Sequence, residues 1–303
     1  MTTAQRLPSP STTPHPATLT VITPDGRRVA ADVTGPDDGP VVVLLTAAPG
    51  SRRFDPDPGA TAAAGVRLVT VDRPGYGASD PVPDGRILSV ADAADDVALV
   101  LDTVGVAETA VVGWSAGGRV AVALAARRPD LTRRVAVVAT PAPHEDVPWI
   151  PDELVGLIAM LRAEPATAVA TMEQMMAPMA ADAEAGLGSV SGGPADEALL
   201  AGDDGARRRL VAMLTEAFVQ GAAGMAADIA SYTLRDWGFD ARAVGAPVRA
   251  WYGEDDAVVG PAHGRWWVDQ VADGSLEVVP GAGHLVVVPA WRDVLAWAAP
   301  NRP

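Results

Sequence analysis

The 303-residue chain contains no cysteine, no lysine and only four histidines, and none of its apolar runs is long. Without cysteine, disulfides and thiolate chemistry are excluded, and cysteine usage says nothing about the redox compartment. Apolar runs short of the roughly 20 residues that cross a bilayer exclude a membrane-spanning helix. The opening MTTAQRLPSPSTTPHPAT lacks an apolar centre and any basic start beyond Arg6. It does not read as a secretory signal; residues 1–16 read as a disordered tail, and a cytoplasmic location is the default expectation. Against 38 acidic residues stand 23 basic ones, all arginine, for a formal charge of −15. A chain of that sign repels phosphate backbones, so no nucleic-acid partner is expected. The clusters Arg127-Arg128, Arg133-Arg134 and Arg207-Arg208-Arg209 read as solvated helix ends. The missing lysine, beside abundant alanine, reads as coding bias without functional weight.

What is present is globular: 49% hydrophobic against 20% charged residues, at a length that fits one large α/β domain or a core with an inserted subdomain. TLTVITPDGRRVAADVTG holds two β-rich runs joined by Pro24-Asp25-Gly26, which predicts a hairpin. VVVLLT (41–46), VRLVTVD (66–72), TAVVGWS (109–115) and RRVAVVAT (133–140) are short continuous apolar runs, as expected of strands buried on both faces of a parallel sheet. Helical stretches lie between them, such as 89–103 with Ser89 as N-cap and 116–128 ending at Pro129. The alternation resumes with VRAWYG (248–253), a helix near 261–271, SLEVVP (275–280) and a helix near 290–299. Together these predict a doubly wound, mostly parallel α/β sheet. Residues 17–140 and 241–303 form this core. Residues 141–240 show no strand and read as a helical insertion over the carboxyl edge of the sheet, with segments separated by Pro165, Pro178, Pro194 and Gly192-Gly193.

Gly113-Trp114-Ser115-Ala116-Gly117 matches G-x-S-x-G between a predicted strand and a predicted helix, the context in which the motif carries chemistry. A serine on so tight a turn takes a strained positive φ, tolerable only where the residues two before and two after lack bulk. Its hydroxyl then stands at a helix N-terminus, where the Ala116 N–H can hold an oxyanion. A serine nucleophile needs a base. His15 lies in the tail, His144 begins the insertion, and His263, near a helix start, reads as a solvated or capping histidine. His284 in PGAGHLVV follows the last predicted strand and can reach the carboxyl edge where Ser115 lies. The orienting acid comes from AWYGEDDAVV, where spacing does not choose among Glu254, Asp255 and Asp256.

In DRPGYGAS (72–79), GWSAGG (113–118), YGEDDAVV (252–259) and GAGH (281–284), in the order serine, acid, histidine, the chain resembles the α/β-hydrolase-fold serine hydrolases of the cap-bearing esterase, lipase and peptidase-like branch. The resemblance runs from residue 20 to 299. It implies an α/β-hydrolase fold with a helical cap at 141–240. It assigns the acid to Asp256 through a G-x-x-D pattern beginning at Gly253, with Glu254 and Asp255 as solvated turn residues. It also implies a catalytic triad of Ser115, His284 and Asp256, with a second oxyanion donor after the first buried strand. There the family usually reads H-G-x-P-G where this chain has TAAPGS (46–51), so Thr46 and Ala47 replace His and Gly and the matched donor is the Ala48 N–H. A backbone donor needs no particular side chain, so the hole can survive the change.

Met172, Met175, Met176 and Met179 recur at helical spacing and suit either an adaptable apolar acyl-binding wall or ordinary packing. Trp114 and Trp149 are further pocket candidates with the same core alternative. The resulting expectation is a serine hydrolase that cleaves an ester, lactone or related acyl bond of a small-molecule substrate through an acyl-enzyme, with no cofactor and no metal. Epoxide and haloalkane hydrolases are disfavoured, because those relatives carry Asp at the nucleophile position. A ligand-binding protein on a hydrolase fold and a cofactor-free perhydrolase are the alternatives.

Overall fold

The computed structural model describes residues 18–300; the tail read over 1–16, His15 included, lies outside the described residues. Leu19–Ile22 (β1) and Arg28–Thr34 (β2) form the expected hairpin, turning at Pro24-Asp25-Gly26. Then come Val41–Leu45 (β3), the short helix Pro58–Ala64 (α1), Arg67–Val71 (β4), Val90–Thr103 (α2), Thr109–Trp114 (β5), Ala116–Arg127 (α3) and Thr132–Val138 (β6). Five helices follow without a strand: Asp152–Ala163 (α4), Pro165–Ala180 (α5), Pro194–Gly202 (α6), Asp204–Ala217 (α7) and Ala223–Thr233 (α8). Val248–Gly253 (β7), Pro261–Asp269 (α9), Gly274–Val279 (β8) and Trp291–Ala298 (α10) complete the fold.

The eight strands form one sheet in the order β1-β2-β4-β3-β5-β6-β7-β8, antiparallel at β1/β2 and β2/β4 and parallel elsewhere. The central strands are apolar throughout because both faces are covered. Val43, Leu45, Val111 and Val137 face a cluster with α2, α3 and Trp267, while Val42, Leu44, Val112 and Val138 face one with α10. Each such fully buried Val or Leu contributes roughly 1.5–3 kcal/mol.

The second cluster also takes in Leu210, Met213, Leu214 and Phe218, so the inserted helices share a core with the sheet. Helix α2 starts where Ser89 predicts, on a reciprocal capping box with Asp92. Pro178 does not separate helices as expected; it lies inside α5 with only two helical residues after it. So late in a helix, its missing N–H costs one hydrogen bond without stopping the chain. No helix among the described residues is long and apolar enough to cross a membrane.

Candidate active site

Strand β5 ends at Trp114 and α3 begins at Ala116, leaving Ser115 alone to turn the chain, at φ 54° and ψ −123°. The glycines around it are there for space. A Cβ on Gly113 would run into the backbone of Gly117 and Gly118, and one on Gly117 into the carbonyls of Leu45 and Thr46. Helix α3 thus meets the ends of β3 and β5 backbone to backbone. Ser115 is half-buried while its neighbours on both sides are buried.

The loop after β8 brings His284 to this turn, its Nε2 3.1 Å from Ser115 Oγ and its Nδ1 2.8 Å from Asp256 Oδ2. A carboxylate only accepts, so Nδ1 carries the proton and Nε2 is free to accept from the serine hydroxyl. The other Asp256 oxygen takes the N–H groups of Val258 and Val259, each at 2.8 Å. Burial alone would raise the Asp256 carboxyl, but the His284 hydrogen bond and charge together with these N–H donors hold it below the usual range. Glu254 and Asp255 have exposed side chains. Their backbone N–H groups brace the histidine loop, donating to Val279 and Ala282 carbonyls at 3.0 Å.

Three supports of this arrangement were not legible in the sequence. Asp196, from α6 of the insertion, is 1% exposed. Its Oδ2 accepts from His284 N–H at 3.0 Å and Gly192 N–H at 2.7 Å, and its Oδ1 from Leu285 N–H at 2.9 Å. Trp114, a pocket candidate, is instead fully buried against Phe54, and its Nε1 donates to the His284 carbonyl at 3.0 Å. Arg73, in the quoted DRPGYGAS, donates to the carbonyls of Thr46 and Ala47 at 2.8 and 2.7 Å, and to Asp228 at 2.6 Å. In a planar trans peptide the N–H points opposite to the C=O. With the Ala47 carbonyl turned to Arg73, the Ala48 N–H points away from it. Ala116 opens α3, where an N–H has no intrahelical acceptor.

His263 is a correction. It is 3% exposed, because the first turn of α9 packs under the chain that follows β6, and its Nδ1 accepts the Ala142 N–H at 3.1 Å. Burial, with the Arg119 cation adding to it, pushes this imidazole down to about 4. The methionine stripe splits. Met172 is buried with Leu161, Ala168, Ala226 and Leu234, and Met176 and Met179 pack half-buried on the core clusters. Met175 is 51% exposed and forms no wall. Trp149 lines a cavity of about 560 Å³ between α4, α8 and the chain after β6, which neither Ser115 nor His284 lines.

The sequence model of the α/β hydrolase fold family matches residues 40–289. Epoxide hydrolase B of Mycobacterium tuberculosis is 34% identical over 132 residues, 42% of this chain and 36% of that protein. The 2-hydroxy-6-oxononadienedioate/2-hydroxy-6-oxononatrienedioate hydrolase of Burkholderia vietnamiensis is 34% identical over 143 residues, 46% of this chain and 49% of that protein. The chain thus spans between about a third and a half of the length of these curated relatives. A hydrolase from Pseudomonas aeruginosa PA01 superimposes with a TM-score of 0.71 over 94% of this chain and 99% of the other, at 23% identity, a likeness of fold.

Proposed function

The chain belongs to the α/β hydrolase fold family, and from that premise we propose that it is a serine hydrolase cleaving an ester, lactone or related acyl bond through an acyl-enzyme. The observation that carries this reading is the unbroken line from Ser115 Oγ through His284 to Asp256, built on a serine held at positive φ. Ser115 Oγ attacks the acyl carbonyl while His284 Nε2 takes its proton. The oxyanion that forms is held by the N–H groups of Ala48 and Ala116. His284 returns the proton to the leaving oxygen, leaving Ser115 acylated. A water, deprotonated by the same nitrogen, then releases the acid and restores the hydroxyl. Asp256 keeps the imidazole in the required tautomer and stabilises the imidazolium.

The relatives' names cover an epoxide and hydroxy-oxo dicarboxylates as well, but a hydroxyl at position 115 suits carbonyl attack, with the acyl ester as its product. Helices α4–α8 act in this reading as a cap, which fits their shared core with the sheet and the reach of Asp196 to the histidine loop. The test is covalent labelling by a fluorophosphonate, with intact mass after exposure to short and long nitrophenyl esters. Wild type is expected to label at Ser115 and Ser115→Ala not at all, with kcat lower by roughly 10⁴-fold or more. Labelling of Ser115→Ala, or its turnover at the wild-type rate, refutes the serine mechanism.

A further inference from the structure

One turn beyond Ser115, α3 carries Arg119, a side chain 1% exposed. Its Nε and Nη2 are buried without an acceptor among the described residues. The guanidinium lies instead among three rings, 4.2 Å from the centroid of Tyr232, 5.2 Å from that of Trp237 and 5.5 Å from that of Trp149. Ring contacts offset only part of the cost of taking a cation out of water. Burial accordingly draws this group down to about 10, which still leaves it charged at neutral pH. The Trp149 indole Nε1 is another buried donor without an acceptor. Other buried arginines of this fold are paired: Arg73 with Asp228, Arg52 with Asp72, Arg27 with Asp96. Arg119 and Trp149 both line the cavity of about 560 Å³.

We propose that this cavity binds an organic monocarboxylate, with Arg119 and Trp149 Nε1 donating to the carboxylate and Ile150, Ile158 and Phe239 receiving its apolar body. Unpaired donors on the wall call for a ligand that only accepts, and the guanidinium fork matches a carboxylate. The other charges on the lining offset one another, Glu145 facing Arg162 at 3.7 Å and Asp236 accompanied by Arg235, which leaves the Arg119 cation for one carboxylate and so favours a monoanion. These nitrogens are themselves covered although both residues line the cavity, so in this proposal the Trp149 ring turns to admit the ligand oxygens. Binding here does not depend on Ser115 chemistry. The carboxylate has two possible carriers, a free acid or the far end of an ester substrate.

Titration calorimetry of 3-phenylpropanoate and of the neutral 3-phenylpropanamide, against the full chain and its Ser115→Ala form, tests the site. The acid is expected to bind both proteins at least tenfold more tightly than the amide. Arg119→Met should weaken the acid at least tenfold and Trp149→Phe a fewfold, with circular dichroism confirming the fold of each. Equal binding of acid and amide by wild type, no binding of either, or undiminished binding of the acid by folded Arg119→Met overturns the proposal. Two nitrophenyl esters, one ending in a free carboxylate and one in its methyl ester, distinguish the carriers. A loss of kcat/KM in Arg119→Met for the first ester alone puts the carboxylate on the substrate. Equal rates on both, with weakened phenylpropanoate binding, put it on a separate ligand.

Discussion

His284, in the loop after β8, and His263, in the first turn of α9, stand at the same carboxyl edge of the sheet, both buried, and differ in what their ring nitrogens meet. His284, after β8, has the Asp256 carboxylate on one nitrogen and the Ser115 hydroxyl on the other. His263, at the start of α9, meets a backbone N–H from Ala142, and the charge that acts on it most is the Arg119 cation. Burial with a cation nearby keeps the His263 ring neutral, whereas the carboxylate on His284 Nδ1 fixes that ring's proton there and leaves Nε2 facing the hydroxyl. Two histidines both hidden from water thereby meet opposite surroundings, and the proposed mechanism takes its base from the loop after β8.

Replacing the carboxylate erases the difference and carries the largest expected effect. Asp256→Asn gives His284 a neutral amide, which permits the wrong tautomer and leaves the imidazolium unsupported. A kcat lower on the order of 10⁴-fold on an activated ester is expected. The opposite member of the comparison is read from stability. The His263 ring titrates at about 4 in the folded chain, against 6.5 for the ordinary side chain. As pH falls below 6.5 the unfolded chain takes up this proton first, so the stability present above 6.5 is lost progressively down to pH 4, in all about 3 kcal/mol. Urea unfolding at pH 7.5 and pH 4 should show that loss in wild type and a smaller one in His263→Asn, whose amide oxygen can still accept the Ala142 N–H. Equal losses in the two proteins would mean that His263 is not kept neutral by the fold.

A smaller effect is expected where Asp196 holds the His284 loop. Asp196→Asn turns an amide N–H₂ toward a backbone donor of His284 or Leu285, shifting the loop without removing any reacting group. We expect kcat to fall by roughly 10- to 10²-fold with KM nearly unchanged; unchanged kcat would show that Asp196 serves packing alone. The smallest effects belong to the acids beside Asp256. Glu254→Gln and Asp255→Asn remove exposed charges that water screens, and each should alter kcat only a fewfold. A large loss at either, with Asp256→Asn spared, would reassign the acid.

Much of the fold was legible because its signals are local. The apolar runs 41–46, 66–72, 109–115 and 133–140 correspond to β3, β4, β5 and β6, since a strand covered on both faces must be apolar at every position. Ser115 was legible for the same reason: a serine at φ 54° needs Gly113 and Gly117 beside it, and all three lie within five residues. The acid was not. Glu254, Asp255 and Asp256 are adjacent and chemically alike, and the family pattern was needed to single out the one that the turn buries.

What the sequence determined by itself is therefore the order of strands and helices and the strained serine between one strand and its helix, because backbone propensity, apolar periodicity and steric crowding act over a few residues. The tertiary structure alone decided that His263 is buried on a backbone N–H, that Asp196 reaches the loop of His284 across 88 residues of sequence, that Arg73 turns the carbonyls of the loop after β3, and that Arg119 is left without an acceptor for two of its nitrogens among the described residues. Those outcomes depend on where a side chain ends once the whole chain is closed, and on the water removed from around it. Neither quantity exists along an open chain, where every polar group is hydrated and every partner is a free choice.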